Sequence, residues 1–166
     1  MIIFDSSTLI LLTRTDLLER FMSSLNDPIV IPKAVERESC EEKESVDALV
    51  IQRAIREKKI RVKALKASKL AQKICKDFSL GQGETEAIVL AYSEKTRLLA
   101  TDDRRAILAC RLLKIPYTTA IDILVRMVQK DLLTKAEAQV KLDALERSGR
   151  YKRGILLDAK SKLGVG

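Results

Sequence analysis

The chain has 166 residues, enough for one domain with a buried core, and its 33% charged and 46% apolar residues are typical of a globular protein rather than a disordered one. Its 31 Lys+Arg against 23 Asp+Glu give a net charge of +8, and it contains no histidine. The missing histidine excludes Ser-His-Asp and Cys-His catalysis and histidine-containing zinc sites. An enzyme built on this chain has to move protons through carboxylates, lysines or a metal-bound water.

The cysteines and the N-terminal segment bear on the compartment in which the chain works. Three cysteines without a Cys-x-x-Cys pair argue against a disulfide framework and for a reducing environment. Cys75 and Cys110 stand among apolar residues, and we predict that both are buried. No apolar run reaches the roughly 18 residues of a membrane span, and Asp5 interrupts the first apolar stretch. We therefore expect a cytoplasmic protein with no membrane partner.

Short apolar segments alternate with helical patterns along the whole chain. In the first half, the predicted elements are a strand over 1–4, a helix over 9–25, a strand over 29–31, helices over 33–40 and 45–58, and a strand over 60–64. In the second half, they are helices over 67–78 and 84–94, a strand over 97–101, a helix over 104–113, a strand over 115–118, and helices over 120–130, 134–147 and 150–162. This order predicts an α/β fold in which helices cover both faces of a parallel sheet.

Acidic residues follow the predicted strands. Asp5 ends the first strand, Asp102 and Asp103 end the strand over 97–101, and Glu38 lies in the helix that follows the second strand. Parallel sheets bind ligands beyond the carboxyl ends of their strands. Each acid also has an ordinary explanation, because Asp5 can cap a helix and Glu38 can simply be solvated.

A further acid opens the helix that follows Gly81-Gln82-Gly83. Glu84 lies in its first turn, where the helix dipole alone would favour a negative charge. The two glycines lack the Lys-Ser/Thr of a P-loop and the G-x-G-x-x-G of a dinucleotide site. We therefore discount a nucleotide-binding fold.

The acids as a set suit a divalent cation. Mg²⁺ and Mn²⁺ prefer oxygen ligands, and no histidine competes with the carboxylates here. The adjacent Asp102 and Asp103 repel each other unless a cation or water neutralises them. A metal held by these acids would lower the pKa of a bound water, which could then attack a phosphodiester in line. The pattern thus favours metal-dependent phosphodiester hydrolysis.

Four motifs occur in a characteristic order. They are the aspartate and hydroxyl residues Asp5-Ser6-Ser7-Thr8, the spaced set Pro32, Val35 and Glu38, the helix start Gly83-Glu84-Thr85-Glu86-Ala87-Ile88, and the strand end Thr101-Asp102-Asp103. In this order the chain resembles the PIN-domain nucleases over about residues 1–120. Residues 120–166 look like the helical tail of a subgroup of archaeal and bacterial PIN-like proteins. The resemblance implies a single PIN-like domain over 1–166, with a three-layer α/β/α core, a central parallel sheet and a helical C-terminal extension.

The resemblance also implies which residues form the site. It places the acidic site at Asp5, Glu38, Glu84 and Asp103, supported by the hydroxyl of Thr101. Asp102 stands where the family often has Asn, and would be a further metal ligand. We prefer Glu84 as the third acid, with Glu86 as the alternative two residues on.

Basic residues form two groups. Eight Lys/Arg and no acid lie between Lys58 and Lys76, including a helical stripe at Lys66, Lys69, Lys73 and Lys76. Arg104 and Arg105 directly follow the acidic pair, and a second group surrounds Tyr151. These residues suggest a track for a phosphate backbone, although a solvated helix face has the same composition. A single aromatic residue argues against a stacking platform for several bases.

The resemblance, rather than the residues themselves, implies RNA as the substrate. It also implies a VapC-like toxin role, an antitoxin partner that covers the site, and a homodimer. Our first hypothesis is a Mg²⁺- or Mn²⁺-dependent endoribonuclease. The alternatives are a non-catalytic RNA-binding module that retains the fold, and a structural subunit whose acids only cap helices.

Overall fold

The computed structural model of the chain describes residues 1–40 and 45–166. Five strands form one sheet: β1 (Ile2–Phe4), β2 (Ile29–Pro32), β3 (Ile60–Lys63), β4 (Leu98–Ala100) and β5 (Tyr117–Thr118). Every pair of neighbouring strands is parallel, and the order across the sheet is β3-β2-β1-β4-β5. This arrangement confirms the predicted parallel sheet and places β1 at its centre.

Helices connect the strands and cover both faces of the sheet. Those of the first half are α1 (Ser6–Arg14), α2 (Leu18–Ser23), α3 (Lys33–Cys40), α4 (Val46–Arg56) and α5 (Lys69–Phe78). Those of the second half are α6 (Gln82–Ser93), α7 (Arg104–Leu112), α8 (Ala120–Gln129), α9 (Lys135–Ser148) and α10 (Arg153–Leu163). None of the helices in the described ranges is both long and apolar enough to cross a membrane.

Alternate residues of the strands point into two separate apolar cores. Ile2 and Phe4 of β1 belong to the core on one face, whereas Ile3 belongs to the core on the other. The same alternation in β2 sends Ile29 and Ile31 to one face and Val30 to the other. Strands buried on both faces read as continuous apolar runs, which is why they were visible in the sequence. The result is the three-layer α/β/α arrangement that the resemblance implied.

The first predicted helix is in fact two helices. The pattern over 9–25 is interrupted because Asp16 adopts a left-handed conformation, with φ 51°. The N–H of Leu17 then bonds the carbonyl of Leu12 at 2.8 Å, which is the Schellman arrangement that closes a helix. Leu17 and Leu18 thereby enter the core, where they are 0% and 1% exposed. Glycine is the usual residue at the position that Asp16 occupies. Because no glycine is present here, the sequence pattern did not indicate that the helix ends.

The C-terminal helices are part of one of the two cores. Leu142 and Leu145 of α9 and Leu156 and Leu163 of α10 join the apolar cluster that contains Phe4. These side chains are at most 7% exposed. The helices after residue 134 thus contribute to stability through burial of apolar surface against the rest of the chain.

The three cysteines lie in different surroundings. Cys110 is buried, as predicted, and so is Cys40. The prediction of a buried Cys75 is wrong, because this side chain is exposed on α5 and its thiol donates to the carbonyl of Leu80 at 3.3 Å. The apolar face of α5 is narrow, with Ile74 as its one buried residue in the described structure.

Candidate active site

Asp5 lies at the centre of the carboxyl edge of the sheet, directly after β1. Its side chain caps α1 by accepting the backbone N–H of Thr8 at 3.0 Å, and the same oxygen accepts the Ser7 hydroxyl at 2.8 Å. The hydroxyl of Thr101, at the end of β4, donates to the other oxygen. Asp5 is only 1% exposed, and this burial is the main reason its pKa rises to about 7. The neighbouring charge of Asp102 acts in the same direction.

Glu38 reaches the site from α3. Its carboxylate accepts the Ser6 hydroxyl at 2.8 Å and the backbone N–H of Gly83 at 2.8 Å. Gly83 is the second residue of α6, and helix N-termini carry backbone N–H groups that lack partners within the helix. A Cβ atom at Gly83 would overlap the Glu38 carboxylate, so this close approach requires glycine. Glu38 is thus held by both α1 and α6.

Glu84 follows in the first turn of α6 and is partly buried. Its pKa is raised, chiefly by burial and then by the negative charges of Glu38 and Asp103. Hydrogen bonds from the backbone of Glu84 itself and of Gly81 act in the opposite direction. Three acids from α3, α6 and the end of β4 are therefore close enough for their charges to interact.

Glu86 has a different position from Glu84. One of its oxygens accepts the backbone N–H of Ala34 at 3.1 Å, and the other accepts the Gln82 amide at 2.9 Å. Ala34 is the second residue of α3, so Glu86 caps that helix. The negative charges of Glu38 and Asp103 contribute to the raised pKa of Glu84. The carboxylate of Glu86 instead accepts hydrogen bonds from α3 and from its own helix.

Asp103 begins α7. One carboxylate oxygen accepts the backbone N–H groups of Arg105 at 2.8 Å and Ala106 at 2.9 Å. The backbone N–H of Asp103 donates to the Thr101 hydroxyl at 3.3 Å. Thr101 is completely buried and so links Asp5 to the backbone of Asp103.

Asp102 accepts hydrogen bonds from residues that are far apart in the sequence. One oxygen accepts the Thr8 hydroxyl at 2.7 Å and the backbone N–H of Ala120 at 3.0 Å. The other accepts the hydroxyl of Tyr151, from the segment between α9 and α10, at 2.8 Å. Burial raises the pKa of Asp102 despite these bonds. These contacts connect α1, α8 and the C-terminal segment. The role of Asp102 as a metal ligand stays a prediction.

Four of the acids have no ion pair in the part of the chain that the structure describes. Within residues 1–40 and 45–166, no lysine or arginine forms an ion pair with Asp5, Glu84, Asp102 or Asp103. In the same ranges no three of the acidic or thiol side chains are already grouped as a metal site. These four carboxylates are therefore held by hydroxyl and backbone groups rather than by basic side chains of the described ranges.

The predicted basic residues occupy two surfaces. Lys69, Lys73 and Lys76 are exposed along α5, and Lys66 is exposed in the segment that precedes the helix. Arg104 is exposed beside the acids. Arg105 donates to the carbonyl of Ser79 at 2.7 Å and so connects α7 to the end of α5. The basic stripe therefore leads towards the start of α7.

Sequence reasoning did not assign roles to Ser6, Gly83 or Tyr151. Ser6 belongs to the motif after Asp5, and Gly83 precedes the third acid, so both could have been found from their positions. Tyr151 lies 49 residues from Asp102, and no local pattern indicates that pairing.

Comparison with known proteins agrees with this geometry. A family model described as a PIN domain matches residues 1–162, including the C-terminal segment that carries Tyr151. No curated protein and no solved structure matches the chain. PIN domains are generally nucleases and typically use divalent metals. Since the match extends over almost the whole sequence, the chain belongs to the PIN-domain family.

Proposed function

We propose that this chain is a divalent-metal-dependent endoribonuclease that hydrolyses RNA phosphodiesters. One observation carries the proposal: acids from separate segments lie at the carboxyl edge of the sheet, and the charges of Glu38 and Asp103 raise the pKa of Glu84. Such repulsion destabilises the folded chain unless a cation offsets it. Helix capping accounts for the positions of Asp5 and Asp103, but it does not require the charge of Asp103 to lie near Glu84.

The donor set fits a hard cation such as Mg²⁺ or Mn²⁺. The residues that would hold it are Asp5, Glu38, Glu84 and Asp103, whose side chains offer only oxygen atoms as ligands. A bound cation would supply Lewis-acid chemistry, lowering the pKa of water and stabilising charge on the phosphate oxygens. Asp102 lies next to this set and would be a further ligand, and its oxygens accept hydrogen bonds from Thr8, Ala120 and Tyr151.

The chain's own groups orient the acids. The Thr101 and Ser7 hydroxyls fix the carboxylate of Asp5, and the Gly83 N–H fixes that of Glu38. Glu84 is partly exposed in the first turn of α6, so its carboxylate can be reached by a cation or a water from solvent.

Charge outside the acidic site supports a polyanionic substrate. The net charge is +8 although the candidate site is acidic, and the lysines of α5 are exposed. Exposed lysines and arginines attract nucleic acid through release of its counterions. The choice of RNA over DNA is part of the proposal and rests on the family resemblance.

The proposal is tested with purified protein and a fluorescent single-stranded RNA. We expect cleavage with added Mn²⁺ or Mg²⁺, none in EDTA, and slower cleavage of a DNA oligonucleotide of the same sequence. Asp5→Asn and Asp103→Asn should each lower the rate by about a hundredfold or more, because each removes a charge that the reaction requires. The matched control is Asp158→Asn, which makes the same acid-to-amide change at an exposed position of α10. This variant should cleave like the wild type.

Two results would contradict the proposal. One is the absence of cleavage with either metal, and the other is undiminished cleavage by the Asp5 and Asp103 variants. Salt-sensitive RNA binding without turnover would favour the non-catalytic RNA-binding module instead. Mn²⁺ should also raise the midpoint of thermal unfolding of the wild type more than that of Asp5→Asn, because a metal that binds only the folded state stabilises it.

We also propose that the chain is the toxin of a toxin–antitoxin pair. A toxin of this kind would arrest growth when it is expressed without an antitoxin. Growth arrest by the wild type, but not by Asp5→Asn at equal protein levels, would support this role. Normal growth with active protein present would contradict it.

A further inference from the structure

A cavity of about 420 Å³ opens directly beside the acids, between the start of α7 and the segment that joins α9 to α10. Asp102, Asp103, Arg104 and Arg105 lie on one side, and Arg150, Tyr151 and Ile155 lie on the other. Its size is within the range of about 300–1,000 Å³ that is typical of small-ligand pockets. Two of its walls thus come from parts of the chain that are about 50 residues apart in sequence, and Leu11 and Thr119 complete the lining.

The lining combines three arginines and two aspartates with apolar surface. The two aspartates accept hydrogen bonds from within the chain, whereas two of the arginines are free to bind a ligand. Arg104 and Arg150 are exposed and form no hydrogen bond or ion pair within the described ranges. Leu11, Ile107 and Ile155 supply the apolar surface, and Ile155 remains 47% exposed. A ligand that fits such a lining has an anionic group and a flat apolar group at a short distance from each other.

Tyr151 is held in place at the cavity wall. Its hydroxyl donates to Asp102 at 2.8 Å, and its ring lies so close to Gly149 that a Cβ atom at that position would overlap it. A ring whose hydroxyl is held by a hydrogen bond loses less entropy when a ligand packs against it than a freely rotating side chain does. A single aromatic face is enough for one base, although it is too little for a platform that stacks several.

From these features, and on the basis of the nuclease function proposed above, we propose that this cavity binds one nucleotide of the RNA strand next to the cleaved bond. Arg104 and Arg150 contact its phosphate, and its base lies against Tyr151, Ile107 and Ile155. The C-terminal segment therefore forms part of the substrate site, and its residues determine which nucleotide is accepted there.

Matched variants test the assignment through RNA binding in EDTA, which does not depend on cleavage. Arg150→Ala should weaken the binding of a short single-stranded RNA by about tenfold, because it removes a charge-assisted contact to phosphate. Arg147→Ala removes the same charge from an exposed position that does not line the cavity, and should change binding by less than about twofold. Ile155→Ser should weaken binding, whereas Leu157→Ser on the same helix should not.

A second measurement locates the ligand directly. Methyl NMR signals of Leu11, Ile107 and Ile155 should shift when uridine monophosphate is added. Equal weakening by Arg150→Ala and Arg147→Ala would overturn the proposal, as would methyl shifts confined to other residues. Inorganic phosphate that shifts the same methyl signals as much as the nucleotide would overturn the assignment of the base.

The two proposals can fail separately. If the wild type binds nucleotide in this cavity but cleaves nothing with Mn²⁺, the nuclease function fails and the binding site stands. If the wild type cleaves RNA and the two arginine variants behave alike, the nuclease function stands and the nucleotide subsite fails.

Discussion

Glu38 and Glu86 cap each other's helices. Glu38 of α3 accepts the N–H of Gly83, the second residue of α6, at 2.8 Å. Glu86 of α6 accepts the N–H of Ala34, the second residue of α3, at 3.1 Å. The two bonds are equivalent in position, and the negative charge of Glu38 contributes to the raised pKa of Glu84. Each glutamate therefore stabilises the start of the other's helix, and Glu38 also lies beside the third acid of the candidate site.

Replacement of Glu86 should affect stability more than activity. Glu86→Ala leaves the N–H of Ala34 without its acceptor and should lower the free energy of unfolding by about 0.5–2 kcal/mol, as the loss of other helix caps does. Glu86→Gln keeps an acceptor oxygen and should recover most of this loss. Urea unfolding measures both changes. Glu84→Gln, in contrast, should abolish RNA cleavage without loss of stability, and the reverse pattern would make Glu86 the third acid.

Gly83→Ala should damage the site without damaging the fold. A Cβ atom there would overlap the Glu38 carboxylate, which has to move and give up its bond to the backbone N–H. Because the obstructing group is the end of a flexible side chain, stability should change by less than about 1 kcal/mol while RNA cleavage falls at least about tenfold. Gly154→Ala is the control, since no atom lies near its Cβ position in α10. This control should stabilise the helix by about 0.5–1 kcal/mol and keep full activity.

The raised pKa of Asp5 predicts how stability changes with pH in EDTA. The folded chain holds this proton up to a pKa of about 7, whereas the unfolded chain releases it near 3.8. The free energy of unfolding should therefore fall as pH rises from about 4 to 7, by on the order of 4 kcal/mol from this group alone. Asp27 and Glu57 have lowered pKa values and act in the opposite direction. The informative quantity is thus the difference between the wild type and Asp5→Asn.

Urea unfolding at pH 5 and pH 7.5 measures this difference. Asn keeps an oxygen for Ser7 and Thr8, and its amide can donate to the Thr101 hydroxyl. The variant should therefore fold, and it should lose less stability than the wild type over this interval. Equal slopes for the two proteins would show that Asp5 does not hold a proton in the folded chain.

Tyr151→Phe should loosen the C-terminal segment. The substitution removes the hydroxyl that donates to Asp102 and should cost about 1.5–3 kcal/mol, the range for a hydrogen bond to a charged group. Tyr92→Phe is the matched control, because Tyr92 is 51% exposed and its hydroxyl has no partner in the described structure. Thermal unfolding measures stability, and hydrogen exchange of α10 reports on local opening. Protection of α10 that is unchanged in Tyr151→Phe would contradict the role assigned to this bond.

The architecture could be predicted because the burial of each strand determines the pattern of apolar residues in its sequence. Central strands such as β1 and β2 are buried on both faces and read as unbroken apolar runs. The edge strand β3 alternates between buried and exposed residues, and its sequence alternates accordingly. Most helix ends were also predicted: α5, α6 and α7 end within one residue of the ends expected from the sequence. The stop at Asp16 was missed, because this residue adopts the left-handed conformation where glycine is usual.

The candidate site could be predicted only in part. Asp5 and Asp103 were found because they end strands that meet at one edge of the sheet. The sequence could not separate Glu84 from Glu86, since both lie in the first turns of one helix and their difference depends on α3. The bond from Tyr151 to Asp102 joins residues that no periodic pattern relates.

The parallel sheet also sets the order in which the acids can assemble during synthesis. Asp5 leaves the ribosome early, but the hydroxyl that orients it belongs to Thr101, 96 residues later in the chain. At about 5–20 residues per second, roughly 5 to 20 s of translation separate the two. Long-range strand pairing of this kind is also slow to form. A nascent chain therefore cannot present the complete set of acids to the RNA on which it is being made until most of its own length has been translated.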